Sequence, residues 1–108
     1  MKMIFAVVRP DKAYEVNKAL ADAGYAASTK WTVAGRGKQQ GIQVGDIVYD
    51  EMNKNMIMIA CDDDDKNEII DLIMDYAQTG ENGNSGDGRI FVLPIEESYT
   101  ISTQSKDD

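Results

Sequence analysis

The spacing of apolar and polar positions along this chain switches between two periods, and each switch marks an element. Met3–Val8 is an unbroken apolar run and predicts a strand buried on both faces. Pro10 and Asp11 then open a stretch in which Ala13, Val16, Leu20 and Ala23 recur at helical spacing, with Gly24 as a natural stop. Ser28–Val33 is rich in strand formers (Thr29, Trp31, Thr32, Val33) and predicts a second strand. From Gly35 to about Asn53 the chain is polar and punctuated by glycine. That is longer than ordinary connections and predicts a functional excursion. Met56–Cys61 predicts a third strand. Asp62–Asp65 follows, with Asp65 as N-cap and Glu68 at the capping-box position. Ile69, Ile73, Tyr76 and Ala77 form the apolar face of a second helix that ends near Thr79 and Gly80. Ile90–Leu93 predicts a fourth strand broken by Pro94, Tyr99–Ser102 a short edge strand, and residues 104–108 a flexible tail.

The order is strand, helix, strand, strand, helix, strand. It predicts an α+β fold, a ferredoxin-like βαββαβ sandwich in one domain over residues 1–108, with both helices on one face of an antiparallel sheet. The other sheet face then carries apolar residues with no cover, which predicts a closed oligomer.

Charge and composition narrow the chemistry. The formal net charge of −8 argues against a general nucleic-acid or anionic-membrane surface. The apolar runs are too short to span a bilayer, and no signal peptide is expected from the start of the chain. Cys61 is the single cysteine, which excludes an internal disulfide and fits a reducing cytoplasm. Because it closes an apolar run, a buried inert thiol is expected. The chain has no histidine, so His-based triads and most zinc sites are excluded. With no acid/base pair in the glycine loops either, nothing is built for proton transfer, and the protein is read as a non-enzyme.

Two stretches suit anions. Gly83–Val92 clusters glycines around Asp87 and Arg89 and leads into a strand. Free backbone N–H groups in such a loop can cradle a phosphate, and Arg89 adds charge-assisted hydrogen bonds. Gly35–Gly41 carries Arg36 and Lys38 among three glycines and offers the same chemistry at a strand end. A plain glycine turn explains either stretch alone; the pair points to a ligand. The excursion Ile42–Glu51 holds Tyr49 between Asp46, Asp50 and Glu51, which reads either as a protein-contact arm with an aromatic anchor or as a loop with an incidental tyrosine. Asp62–Asp65 lacks the ligand spacing of a calcium loop and reads as favourable charge at a helix N-terminus.

These residues resemble the P-II family of nitrogen-signal proteins. The resemblance is carried by Lys2-Met3-Ile4, Val8-Arg9-Pro10, Gly35-x-Gly37-Lys38-Gln39-x-Gly41, Lys54, Ala77-x-Thr79-Gly80, Gly86–Val92, Pro94 and Glu96-Glu97, over about Met1 to Thr103. Gly41–Glu51 is similar to the first member of the paired P-II proteins encoded with nitrogenase. The resemblance implies a trimer with nucleotide sites between subunits, a T-loop at about 37–53 and a B-loop at about 80–89. It implies ATP or ADP held by Thr29, Gly35, Gly37, Lys38, Gln39, Gly86, Asp87, Gly88 and Arg89, with Gln39 also a ligand of Mg²⁺. It implies 2-oxoglutarate held by Gln39, Gly41 and Lys54, and partner contacts through Tyr49, Asp50 and Glu51. The partner implied is dinitrogenase or another nitrogen-metabolism protein, with no nucleic acid and no membrane insertion. The chain departs from the family pattern twice: three extra residues separate Gly80 from Gly86, and Thr100-Ile101-Ser102 stands where many members have Arg-x-Arg. These departures keep a second reading open, an adaptor with weakened nucleotide binding that works through a protein partner or a paired P-II subunit in a mixed oligomer.

Overall fold

The computed structural model describes residues 1–36, 42–44, 47–49 and 51–107. The elements are β1 (Lys2–Val8), α1 (Pro10–Asp22), β2 (Thr29–Arg36), β3 (Ile42–Val44), β4 (Ile47–Tyr49), β5 (Glu51–Cys61), α2 (Lys66–Ala77), β6 (Gly88–Pro94), β7 (Tyr99–Thr100) and β8 (Ser105–Lys106). Four strands form one antiparallel sheet in the order β2-β5-β1-β6, the ferredoxin-like arrangement that the sequence predicts.

Register decides which face each side chain takes, since opposed residues of an antiparallel pair share a face and successive residues alternate. Ile4, Ala6 and Val8 of β1 and Ile57, Ile59 and Cys61 of β5 are buried against the helices. Ala13, Val16 and Leu20 of α1 and Ile69, Ile73 and Ala77 of α2 close that core. Burying one such Ile, Leu or Val contributes about 1.5–3 kcal/mol, so this layer supplies most of the drive to fold. The opposite face holds Phe5 between Met58 and Phe91, and Val7 between Met56 and Arg89, with Trp31 opposite Met56. Phe91 is 49% exposed and Leu93 45%. The apolar run of β1 thus predicts burial on both faces, while within one chain only its even-numbered residues are buried.

Helix α1 follows its sequence signals closely. Pro10 occupies the first turn, and its ring restricts Arg9 to an extended conformation (φ −61°, ψ 143°). Gly24 takes φ +99° and closes the helix: its N–H donates to Ala21 O at 3.0 Å and that of Tyr25 to Leu20 O at 2.8 Å. This double bond is a Schellman motif, which needs the left-handed glycine. Ala23, placed on the buried face by its spacing, is exposed because it lies in this unwinding turn.

Several expectations are corrected. The capping box at Asp65 and Glu68 does not form; Asp63–Asp65 makes a 3-10 turn and Asp65 makes no side-chain cap bond. The Tyr25 hydroxyl lies between the two carboxylates instead, 3.3 Å from Asp65 Oδ1 and 3.1 Å from Glu68 Oε2. Tyr76 is exposed rather than in the core. β2 and β5 run further than their apolar runs predict: they stay paired past β1 to Gly35 opposite Met52 and Arg36 opposite Glu51, and β3 pairs with β4 beyond them. The excursion is therefore built in part as β-ribbon. The tail expected to be flexible from residue 104 is tied back. Ser105–Lys106 pairs with Tyr99–Thr100, and Asp107 accepts hydrogen bonds from Ser98 Oγ (2.5 Å) and Thr100 Oγ1 (2.6 Å). Among the described residues, no helix is long and apolar enough to cross a membrane.

Candidate functional site

The two halves of the candidate site meet at one end of the sheet, and register brings them there. Val8, the last residue of β1, stands opposite Asn55 on one side and Gly88 on the other. One step further along, Lys54, Arg9 and Asp87 therefore form a row across β5, β1 and β6. Lys54 lies at the root of the arm made by β2 and β5. Asp87 ends the glycine loop. Arg9, held extended by Pro10, lies between them.

Asp87 organises this row. Its carboxylate accepts from Arg9 Nε at 3.0 Å, from the Thr79 N–H at 3.0 Å, from Thr79 Oγ1 at 2.5 Å and from the Asn84 N–H at 2.9 Å. Asn84 Nδ2 donates in turn to Thr79 Oγ1 (2.9 Å) and Thr79 O (3.2 Å). Burial opposes ionisation of Asp87, but the bonds from Thr79, Asn84 and Arg9 outweigh it and hold the carboxyl well below the usual carboxylate range. The loop's carbonyls face the cations: Ser85 O accepts from Arg9 Nη2 at 3.0 Å, and Gly86 O accepts from Lys54 Nζ. Lys54 is only 6% exposed. Burial lowers its pKa, the nearby Arg9 charge lowers it further, and Asp87 partly offsets both.

The glycines are required by backbone conformation. Gly80, Gly83, Gly86 and Gly88 all have φ between +68° and +119°. At Gly88 a Cβ would lie 1.7 Å from Val7 O, so only hydrogen fits where β6 joins β1. Beside this joint a cleft of about 690 Å³ opens between α2 and β6. Its walls are apolar (Ile70, Ile73, Met74, Val92), and Gln78, Asp87, Gly88 and Arg89 stand among its lining.

The site residues expected from sequence fall into three groups. Lys54, Gly86, Asp87 and Gly88 are brought together. Arg89 follows them on β6 but opposes Val7, on the open sheet face, and is exposed. Thr29 sits on that same face at the other sheet edge, opposite Met58. Three strand spacings, roughly 14 Å, separate the two edges, so one subunit does not bring Thr29 and Arg89 together. Gly35 is in β2, Tyr49 in β4 and Glu51 in β5, with backbone alone described. Gly37, Lys38, Gln39, Gly41 and Asp50 lie outside the described residues, and with them the expected Mg²⁺ ligand. Sequence reasoning gave no role to Arg9, Thr79 or Asn84. Arg9 did carry a signal, as the charge that ends the first apolar run immediately before proline. Nothing in the spacing of Thr79 and Asn84 says that they share one carboxylate.

Comparison with known proteins agrees with this architecture. The family model for nitrogen regulatory protein P-II matches residues 1–105. The chain is 52% identical over 105 residues to "Nitrogen fixation nifHD region glnB-like protein 1" of Methanococcus maripaludis, covering 97% of each chain. It is 49% identical to the protein of the same description from Methanobacterium ivanovii, over 98% of each. It is 38% identical to "Nitrogen regulatory protein P-II 2" of Methanothermobacter thermautotrophicus, over 95% of this chain and 90% of that one. The chain belongs to the nitrogen regulatory protein P-II family, whose members are signalling regulators and not enzymes.

Proposed function

We propose that this chain is a cytoplasmic P-II signalling subunit of the nitrogen-fixation system, one that senses ATP or ADP together with 2-oxoglutarate. When 2-oxoglutarate is low, its arm binds and inhibits dinitrogenase. The observation that carries this reading is the row Lys54–Arg9–Asp87. It sets two cations against one carboxylate where the arm meets the glycine loop, in a chain whose net charge is −8. A dicarboxylate needs a desolvated cation, and Lys54 is a buried ammonium. Phosphates need backbone donors and a guanidinium, and Gly86, Gly88 and Arg89 carry them.

The split placement of Thr29 and Arg89 supports sites completed between subunits, and the open apolar face supports a trimer built on it. Control of the arm would be a population shift: ligand at the arm's root favours one arm state and the partner binds another. The names of the relatives, which place them in a nitrogen fixation region, are compatible with a partner in nitrogen fixation. The test is an activity assay of purified dinitrogenase with this protein and MgATP. Inhibition that 2-oxoglutarate relieves is the expected result; no inhibition at any ligand concentration overturns the dinitrogenase assignment.

A second reading has its own support. Thr100, Ile101 and Ser102 carry no positive charge, and the Thr100 hydroxyl donates to Asp107, so these three residues bring no cation to a phosphate. In that reading the chain is an adaptor that binds its partner regardless of nucleotide, alone or in a mixed trimer with a paired P-II subunit. Partner binding that ignores both MgATP and 2-oxoglutarate selects it.

A further inference from the structure

We infer that Asp87 and Arg9 are positioning residues for the phosphate-binding loop: together they turn the Ser85 carbonyl inward and so present the Gly86 N–H to the anion. The inference rests on the nucleotide-sensing reading above. In a trans peptide the C=O and N–H of one unit point in opposite directions. The C=O of Ser85 is drawn to Arg9 at 3.0 Å, so the N–H of Gly86, in the same peptide unit, points away from Arg9. The C=O of Gly86 is drawn to Lys54, and the N–H of Asp87 points away from Lys54 to meet Asn84 O at 3.1 Å. Two cations thus hold successive carbonyls and fix the polarity of the loop.

Asp87 is the counter-group that keeps Arg9 in place. Its four hydrogen bonds, from Arg9, Thr79 (twice) and Asn84, all come from inside the chain. Both carboxylate oxygens are committed to the loop. A carboxylate aimed at a triphosphate would repel it, whereas one buried among these donors fixes the loop and leaves the Gly86 N–H to the ligand. The five residues between Gly80 and Gly86 make this bracing matter: a loop of this length has many conformations to lose on binding, and preorganisation removes that cost beforehand.

The two roles for Asp87 predict opposite signs. If Asp87 only lined the phosphate site, Asp87→Asn would remove a like charge and tighten binding. As a positioning group, its loss loosens the loop and weakens binding. The experiment is calorimetric titration of the full chain with MgATP for wild type, Asp87→Asn, Arg9→Met and the double variant. The expected result is roughly ten- to hundredfold weaker binding for each single variant, the equivalent of one charge-assisted bond. The double variant is expected to be no weaker than the weaker single one, because both act through one arrangement. Arg9→Lys, which keeps the charge but not the fork, is expected to recover part of the loss. Thr79→Val leaves the ion pair intact and removes one hydroxyl donor, so it serves where the charge variants do not fold; several-fold weaker binding is expected. Unchanged or tighter binding by Asp87→Asn, or by Thr79→Val in its place, overturns the proposal. So do strictly additive losses, which would put Arg9 on the phosphate itself. A wild-type chain that binds no MgATP overturns the nucleotide reading, and this inference with it.

Discussion

Replacing Gly88 with alanine tests whether this glycine serves the ligand or the fold. Gly88 has φ +119°, and an added Cβ would sit 1.7 Å from Val7 O, 2.8 Å from Val7 C and 3.2 Å from Val8 Cα. All three are backbone atoms of β1, so no flexible side-chain end can yield. The positive φ alone costs about 1–3 kcal/mol for a residue with a side chain. Relieving the overlap must move the start of β6 away from β1, with loss of about one ladder hydrogen bond worth about 1 kcal/mol and of packing beside Ile90. The sum is roughly 3–5 kcal/mol, a large share of the stability of a domain this size. It corresponds to a fall in melting temperature of roughly 15–30 °C. Thermal unfolding followed by circular dichroism measures it. Gly24→Ala is the control: it also has positive φ (+99°) but meets nothing within 4 Å, so about 1–2 kcal/mol is expected. A Gly88→Ala protein that melts like Gly24→Ala, and differs from wild type only in nucleotide binding, would refute the packing argument.

Other outcomes follow from the same structure. Phe91→Asp places a charge on the open sheet face, on the edge strand β6 beside Phe5, and is expected to convert the proposed trimer to monomers in sedimentation velocity; a variant that keeps the trimer's mass would remove that face from the interface. Asp87 has its carboxyl pKa depressed by folding, so its contribution to stability is complete above the unfolded carboxylate pKa of about 4 and is lost as pH falls below that. The stability gap between wild type and Asp87→Asn in urea melts is therefore expected to hold from neutral pH down to about pH 5 and to shrink at about pH 3; a gap already closed near pH 6 contradicts the assignment. Burial, then hydrogen bonds to Glu68 and Asp65, push the Tyr25 phenol up to about 12. In an ultraviolet alkaline titration Tyr25→Phe should remove a phenol that ionises at about pH 12, and a curve unchanged by the substitution would show that Tyr25 is not held.

The fold was legible because its elements obey single-chain rules. The helical spacing of Val16 and Leu20, the stop at Gly24 and the apolar runs of β1 and β5 each have a local cause, and the structure keeps them. Misplaced residues had a competitor that spacing does not encode. Ala23 falls in an unwinding turn, and Asp65 is taken by a tyrosine forty positions earlier in the chain. The arm's strands outrun their apolar runs because β2 and β5 keep pairing where β1 has already ended. Of the candidate site, the glycine loop was legible as glycine and charge leading into an apolar run, and Lys54 only through the family resemblance. Their meeting through Arg9 was not, because it depends on the register of three strands at once. The roles of Thr79 and Asn84 were hidden for the same reason: a shared carboxylate is a property of the folded loop and leaves no periodicity in the chain.

The most direct test of the sensor reading is a paired calorimetric titration of the wild-type protein, first with MgATP and then with 2-oxoglutarate in its presence and absence. The account predicts that MgATP binds in the micromolar range and that 2-oxoglutarate binds only once MgATP is present, on the order of −8 kcal/mol for a micromolar site. Absence of binding by either ligand at millimolar concentration would contradict it and leave the adaptor reading in its place.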